Sequence, residues 1–220
     1  MRLRLIVAAA LAALLGAAGA ARAADAGALY AEHCAGCHGA DRFGGMGPAL
    51  LPSNLERVRK PAILDVIARG RTASQMPAYG DRLSPEQIAA LADYVLTPPA
   101  VPPEWREREI SASHVRHADP APLPAVPAYS ADPLNLFVVV EAGDHHVTIL
   151  DGDRFEPLAR FPTRYALHGG PKFSPDGRFV YFASRDGWIA KYDLWRLTLV
   201  AEVRAGLNTR NAAVSSDGRY

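Results

Sequence analysis

Five consecutive residues, Cys34-Ala35-Gly36-Cys37-His38, carry the densest chemistry in the chain. Two thiols three positions apart lie on one helical turn, where both can form thioethers to the vinyl groups of one haem. The imidazole that follows can then reach the iron. Three other uses of such a pair are a redox dithiol, half of a zinc site and a plain disulfide. Zinc would need a second pair of cysteines, and the chain has only these two. No βαβ pattern surrounds the motif, as it would in a thioredoxin-like protein. The adjoining His38 favours one covalent haem c on Cys34 and Cys37, with His38 as iron ligand.

A sixth ligand should be a Met or His downstream. Met76 lies in Gln75-Met76-Pro77-Ala78-Tyr79-Gly80, a polar loop from which a thioether can project, and Met46 lies in Gly44-Gly45-Met46-Gly47-Pro48. The residues alone leave both open, with Met76 as a plain core side chain the simpler alternative. Among the other histidines, His33 reads as a surface residue beside the haem crevice, His114 and His117 as solvated, and His145-His146 as a turn. His168 differs. Gly169 and Gly170 follow it and would let a bulky group approach the backbone, so it stays open between ligand and ordinary residue.

The segments that must position these groups follow from composition and period. Arg2 and Arg4 precede an apolar run from Leu5 to Ala21, and Ala21-Arg22-Ala23 offers a small-residue cleavage site. That is the layout of a secretory signal peptide over residues 1–23, with residue 24 as the mature start and a bacterial periplasm as destination. No stable membrane span is expected after cleavage. Residues 24–96 read as a helical domain. Apolar residues from Leu55 to Ile67 keep helical spacing, and Ser84-Pro85-Glu86-Gln87 opens a last helix with a capping box. Residues 97–131 hold a cluster of prolines and read as a semi-extended linker.

From residue 132 the period switches to two, with strands expected near 136–140, 147–150, 179–182 and 188–192. The pattern around Phe137 recurs at Phe179, 42 residues on, and Ser174-Pro-Asp-Gly-Arg-Phe179 recurs as Ser215-Ser-Asp-Gly-Arg-Tyr220. A period near 40 with four strands per unit is the mark of a β-propeller blade. About two blades fit before Tyr220, fewer than the roughly four needed for closure. The expectation is therefore a fragment of a longer protein, with its catalytic residues beyond Tyr220. Composition narrows the partners. With the three basic residues of positions 1–23 set aside, 21 basic residues face 23 acidic ones, without the excess of a nucleic-acid binder.

Residues 24–96 closely resemble small class I cytochromes c. That resemblance implies Met76 as the axial thioether and Gly47-Pro48 as the support of the proximal His38. Tyr165-Ala-Leu-His168, Ser184-Arg185-Asp186-Gly187, Tyr192-Asp193-Leu194-Trp195 and Asn208-Thr209-Arg210 resemble the start of the propeller of bacterial haem c/haem d1 nitrite reductases. It implies that His168 ligates the d1 iron and that Arg185 and Arg210 bind ring carboxylates. Glu141 stands where those reductases have an arginine. The short cytochrome domain, Asp132-Pro-Leu-Asn-Leu-Phe137 and His168-Gly-Gly-Pro-Lys-Phe173 look closer to a sister family, the periplasmic dihydro-haem d1 dehydrogenases. These share the reductases' fold, expected as eight blades when complete.

The dehydrogenase resemblance implies an oxidoreductase that desaturates a propionate of dihydro-haem d1 to an acrylate and passes the electrons to haem c. Its implied partners are the tetrapyrrole, an external periplasmic electron acceptor and nitrite reductase as recipient of d1. Two alternatives stay in view. One is nitrite reductase itself, with d1 as permanent cofactor. The other is an electron-transfer cytochrome tethered to a non-catalytic propeller.

Overall fold

The computed structural model describes residues 26–119, 122–164 and 167–220. The leader reading for 1–23, the mature start at 24 and Tyr165 lie outside them. The helical part contains α1 (26–33), α2 (Ala35–His38), α3 (Pro52–Leu55), α4 (Lys60–Arg69) and α5 (Pro85–Leu96). Ser84 caps α5 as its sequence predicts: its hydroxyl accepts from Gln87 N, and its own N–H donates to Gln87 Oε1 at 2.9 Å. The helix buries Ile88, Leu91, Ala92 and Val95 against Leu29, Tyr30 and Ile63. The helix expected from Leu55 is shorter at its start. Pro61 has no N–H to give, so it sits at the N-terminal end of α4 and Arg59 is extended before it. Leu55 ends α3, and Val58 lies exposed between the two helices.

The second half folds as two antiparallel sheets. One has the order β2-β3-β4, from Leu136–Glu141, His146–Asp151 and Pro157–Pro162. The other has the order β1-β8-β7-β6-β5, from Val115–Arg116, Thr198–Arg204, Trp188–Asp193, Phe179–Ser184 and Leu167–Phe173. Their faces share one core: Val147 and Ile149 of the first sheet meet Val180, Phe182 and Tyr192 of the second. Phe161 stacks on Tyr192 with centroids 4.1 Å apart.

The internal repeat is visible in the hydrogen bonds. Asp151 Oδ1 accepts from the N–H groups of Asp153 and Arg154, and Asp193 Oδ1 accepts likewise from Trp195 and Arg196. Ser174 and Ser215 build matching turns, each bonding the Asp two residues on and accepting from the N–H five residues on.

The proline-rich segment is more than an extended connector. It forms α6 (Glu107–Ala112), and β1 then pairs Val115 with Glu202 and Arg116 with Ala201. The edge of β8 would otherwise present unpaired backbone groups, which a passing strand can satisfy. His117 is exposed, as expected of a solvated residue, but it also has a partner. Its Nε2 meets Glu202 Oε2 at 2.8 Å, and the same buried carboxylate takes two bonds from Arg164. His114 is exposed. Among the described residues no helix is long and apolar enough to cross a membrane.

Candidate haem sites and the contact between them

Cys34 is the N-cap of α2 and Cys37 lies within its single turn, both as free thiols, the first half-buried and the second exposed. Burial pushes the Cys34 thiol up to about 11, and the neighbouring Cys37 adds to it. His38 is buried. Its Nδ1 lies 2.8 Å from the Pro48 carbonyl oxygen, which can only accept, so the proton sits on Nδ1 and Nε2 keeps its lone pair. Burial also lowers the imidazole's pKa, against the opposing pull of the Pro48 bond, and that favours the neutral ring a metal needs. A Cβ at Gly47 would stand 2.7 Å from His38 Cε1, so the loop closes on the ring only because residue 47 is glycine.

Met76 is half-buried and packs on the same apolar cluster as Cys34 and Ala35, whose partly covered members include Leu50, Leu64 and Ile67. Met46 is 56% exposed. These residues fit a haem: both thiols and the bare His38 nitrogen lie within one helical turn, and Cys34 and Met76 pack on the same apolar cluster. His33 is half-buried rather than at the surface, with its carbonyl oxygen accepting from Tyr79 Oη.

His168 lies exposed near the start of β5, paired with Ala183. Its Nδ1 stands 2.8 Å from the carbonyl oxygen of Arg210, so this imidazole too is held through Nδ1 with Nε2 left bare. The strand's register shifts between His168 and Lys172. Gly169, at φ +82°, comes so near Arg210 that a Cβ would stand 2.4 Å from its carbonyl. A cavity of about 190 Å³ opens beside the bulge, lined by Val140 of the first sheet and by Leu167, His168, Gly169, Gly170, Pro171, Phe182 and Ala183 of the second. Arg185 is half-buried in the β6–β7 turn, and Arg210 is exposed. Among the described residues neither guanidinium makes a hydrogen bond or ion pair. The structure therefore joins His168 to Arg210 through the Arg210 carbonyl. Glu141 is occupied: Arg160 holds both its oxygens, and that hydrogen bonding keeps its carboxyl below the usual range.

Loops of the cytochrome part touch turns of both sheets. Gly44 lies against the β6–β7 turn, where an added Cβ would stand 3.0 Å from Asp186 Cβ. Ala73, in the loop before Met76, lies against Gly143 of the β2–β3 turn. His168 pairs beside Ser184, at the same end of the sheet as Arg185. Sequence reasoning missed Arg204, whose guanidinium bonds the carbonyls of both Phe43 and Asp186. Nothing in its local pattern marks it.

Fold and site together define a cytochrome c domain joined to a β-rich, d1-type domain, and two protein families match in that order. Residues 21–95 match the family described as cytochrome C oxidase, cbb3-type, subunit III, and residues 131–220 match the cytochrome D1 heme domain. The chain is 61% identical over 193 residues to the dihydro-heme d1 dehydrogenase of Pseudomonas aeruginosa, covering 88% of this chain and 39% of that protein. It is 30% identical over 207 residues to the nitrite reductase of Stutzerimonas stutzeri, covering 87% of this chain and 37% of that one. A solved structure, dihydro-heme d1 dehydrogenase NirN in complex with DHE, superposes with a TM-score of 0.78 at 60% identity, over 89% of this chain and 42% of that one. The chain thus spans about two fifths of the length of these curated relatives.

Proposed function

We propose that this chain is part of an exported oxidoreductase of haem d1 biosynthesis that desaturates a propionate of dihydro-haem d1 to an acrylate. The observation that carries the reading is the seating of the His38 and Met76 loops on the two sheet turns, at the end that also holds His168 and Arg185. A donor bound beside His168 would then face a haem held by the cytochrome. The 61% identity to a dihydro-heme d1 dehydrogenase, against 30% to a nitrite reductase, supports synthesis over nitrite reduction.

In this reading residues 1–23 direct export to the periplasm, 24–96 form the cytochrome domain, 97–131 link it, and 132–220 begin an eight-bladed propeller. Cys34 and Cys37 attach haem c, and His38 and Met76 ligate its iron. Bound there, haem c would supply a one-electron acceptor, so removing two electrons would call for an external periplasmic acceptor as well. Converting CH2–CH2 to CH=CH breaks two C–H bonds and releases two electrons and two protons, so a base is also required. His168 ligates the tetrapyrrole iron through Nε2, its Nδ1–H fixed by the Arg210 carbonyl. Arg185 and Arg210 orient the ring through its carboxylates, for which a guanidinium fork is suited. Glu141, tied to Arg160, adds no cation to that set, which suits a site that releases its product. The recipient of that product is nitrite reductase.

His168→Ala tests the assignment. It should weaken the binding of dihydro-haem d1 and remove the spectral change on binding, while leaving the haem c spectrum intact. Unchanged tetrapyrrole binding would contradict it.

A further inference from the structure

Arg204 stands where linker, sheet and cytochrome meet. Its backbone N–H donates to Ser113 Oγ at 2.9 Å, and its carbonyl oxygen accepts from Trp105 Nε1 at 2.8 Å. Both partners belong to the linker. Its guanidinium carbon lies 4.9 Å from the centre of the Trp105 ring. Nε donates to the Asp186 carbonyl oxygen at 2.9 Å, and Nη2 donates to the carbonyl of Phe43.

Those two carbonyls belong to the two candidate sites. Phe43 precedes Gly44, whose N–H donates to the carbonyl of His38 at 2.9 Å. Asp186 follows Arg185 in the β6–β7 turn. One side chain therefore bridges the loop of the proximal histidine to the turn that carries a proposed ring-binding arginine. A guanidinium presents its donors in a rigid planar fork, so it can fix two acceptors at a set spacing. The contact it closes is tight, since Gly44 and Asp186 leave no room for a Cβ at residue 44.

We propose that Arg204 is a positioning residue for electron transfer: it clamps the His38 loop to the β6–β7 turn and so fixes the separation of the two tetrapyrroles. The electron traffic rests on the dehydrogenase reading above; the clamp does not. Both parts are tested in the holoprotein with Arg204→Gln and Arg204→Lys. The readouts are dihydro-haem d1 affinity, the rate at which bound dihydro-haem d1 reduces haem c, and the haem c midpoint potential. A fourth is the pulsed-EPR distance, without tetrapyrrole, between oxidised haem c and a nitroxide on Ser216→Cys. Arg204→Gln should slow haem c reduction by about tenfold, the size of a lost coupling contact, with affinity and potential unchanged and the distance distribution broadened. Arg204→Lys, which offers one point donor for two acceptors, should fall between. A parental rate and a narrow distribution in Arg204→Gln would overturn the proposal, as would a loss of affinity as large as the loss of rate. If the parent takes no electrons from dihydro-haem d1, the dehydrogenase reading fails and the distances alone decide the clamp. Narrow in the parent and broad in Arg204→Gln sustains it; equal widths overturn it.

Discussion

His38 and His168 are held alike, each with Nδ1 against a backbone carbonyl ten or more residues away. Such a bond fixes ring and tautomer before any metal arrives, leaving Nε2 as the donor atom. For the proposed thioether ligand, burial favours Met76, which packs on the same apolar cluster as Cys34, over Met46, which is mostly in solvent. Met76→Ala should therefore abolish the near-infrared sulfur–iron band of the oxidised protein, and Met46→Ala should leave it; the reverse pattern would reassign the ligand. Asp186 yields a prediction in pH. Burial raises its carboxyl pKa, outweighing the opposing Ser184 hydroxyl and Arg204. The neutral acid is thus favoured more in the folded state than in the unfolded chain, and the cost of ionising it is absent below the ordinary Asp value of about 3.9 and grows as pH rises towards the folded value. Asp186→Asn keeps the acceptor for Ser184 and removes that cost. Its gain in thermal midpoint over the parent should be smallest near pH 4 and larger at pH 7.5, by calorimetry; a gain independent of pH would contradict the sign. Cys34, Cys37 and His38 were legible in sequence because their chemistry depends on local spacing. Asp186 drew notice only as part of a motif and Arg204 none, because their environments come from residues far away in the chain.

At the scale of elements, the repeat places equivalent aspartates at the ends of β3 and β7, and their surroundings differ. Asp151 accepts two backbone N–H groups. Asp193, wholly buried, accepts two and also holds the guanidinium groups of Arg178 and Arg196. Removing one partner of a buried charge cluster strands the rest, so Asp193→Ala should cost about 3–5 kcal/mol. Asp151→Ala loses a turn cap and should cost about 1–3 kcal/mol. Urea unfolding of both variants checks the order, and equal losses would contradict it. The strands with strong period-two patterns, β2, β3, β6 and β7, were readable directly. Strand β5 was not, since Gly169, Gly170 and Pro171 interrupt it and its pairing with β6 survives only around a bulge. Nor was β1, a two-residue pairing that exists because the edge of β8 accepts it. In α4, Pro61 set the start more firmly than the apolar spacing that ran through it.

Across the whole molecule, the linker does more than tether. Trp105, Ser113, Val115 and His117 dock on β8, and the guanidinium they flank reaches the cytochrome loop. The cytochrome is thereby set with its His38 and Met76 loops over the sheet end that carries His168. In the proposed reading that arrangement would serve electron flow between two tetrapyrroles in either direction, so geometry alone is symmetric between making d1 and using it. The asymmetry in that reading comes from the 61% identity to a dehydrogenase against 30% to a nitrite reductase, and Glu141, bonded by Arg160, adds no cation. The direct measurement is to mix the oxidised holoprotein with dihydro-haem d1 and follow the tetrapyrrole by mass while haem c is watched by absorbance. Loss of two hydrogens from the tetrapyrrole, in step with haem c reduction, is the result predicted. Rapid nitrite turnover with the precursor's mass unchanged would contradict it.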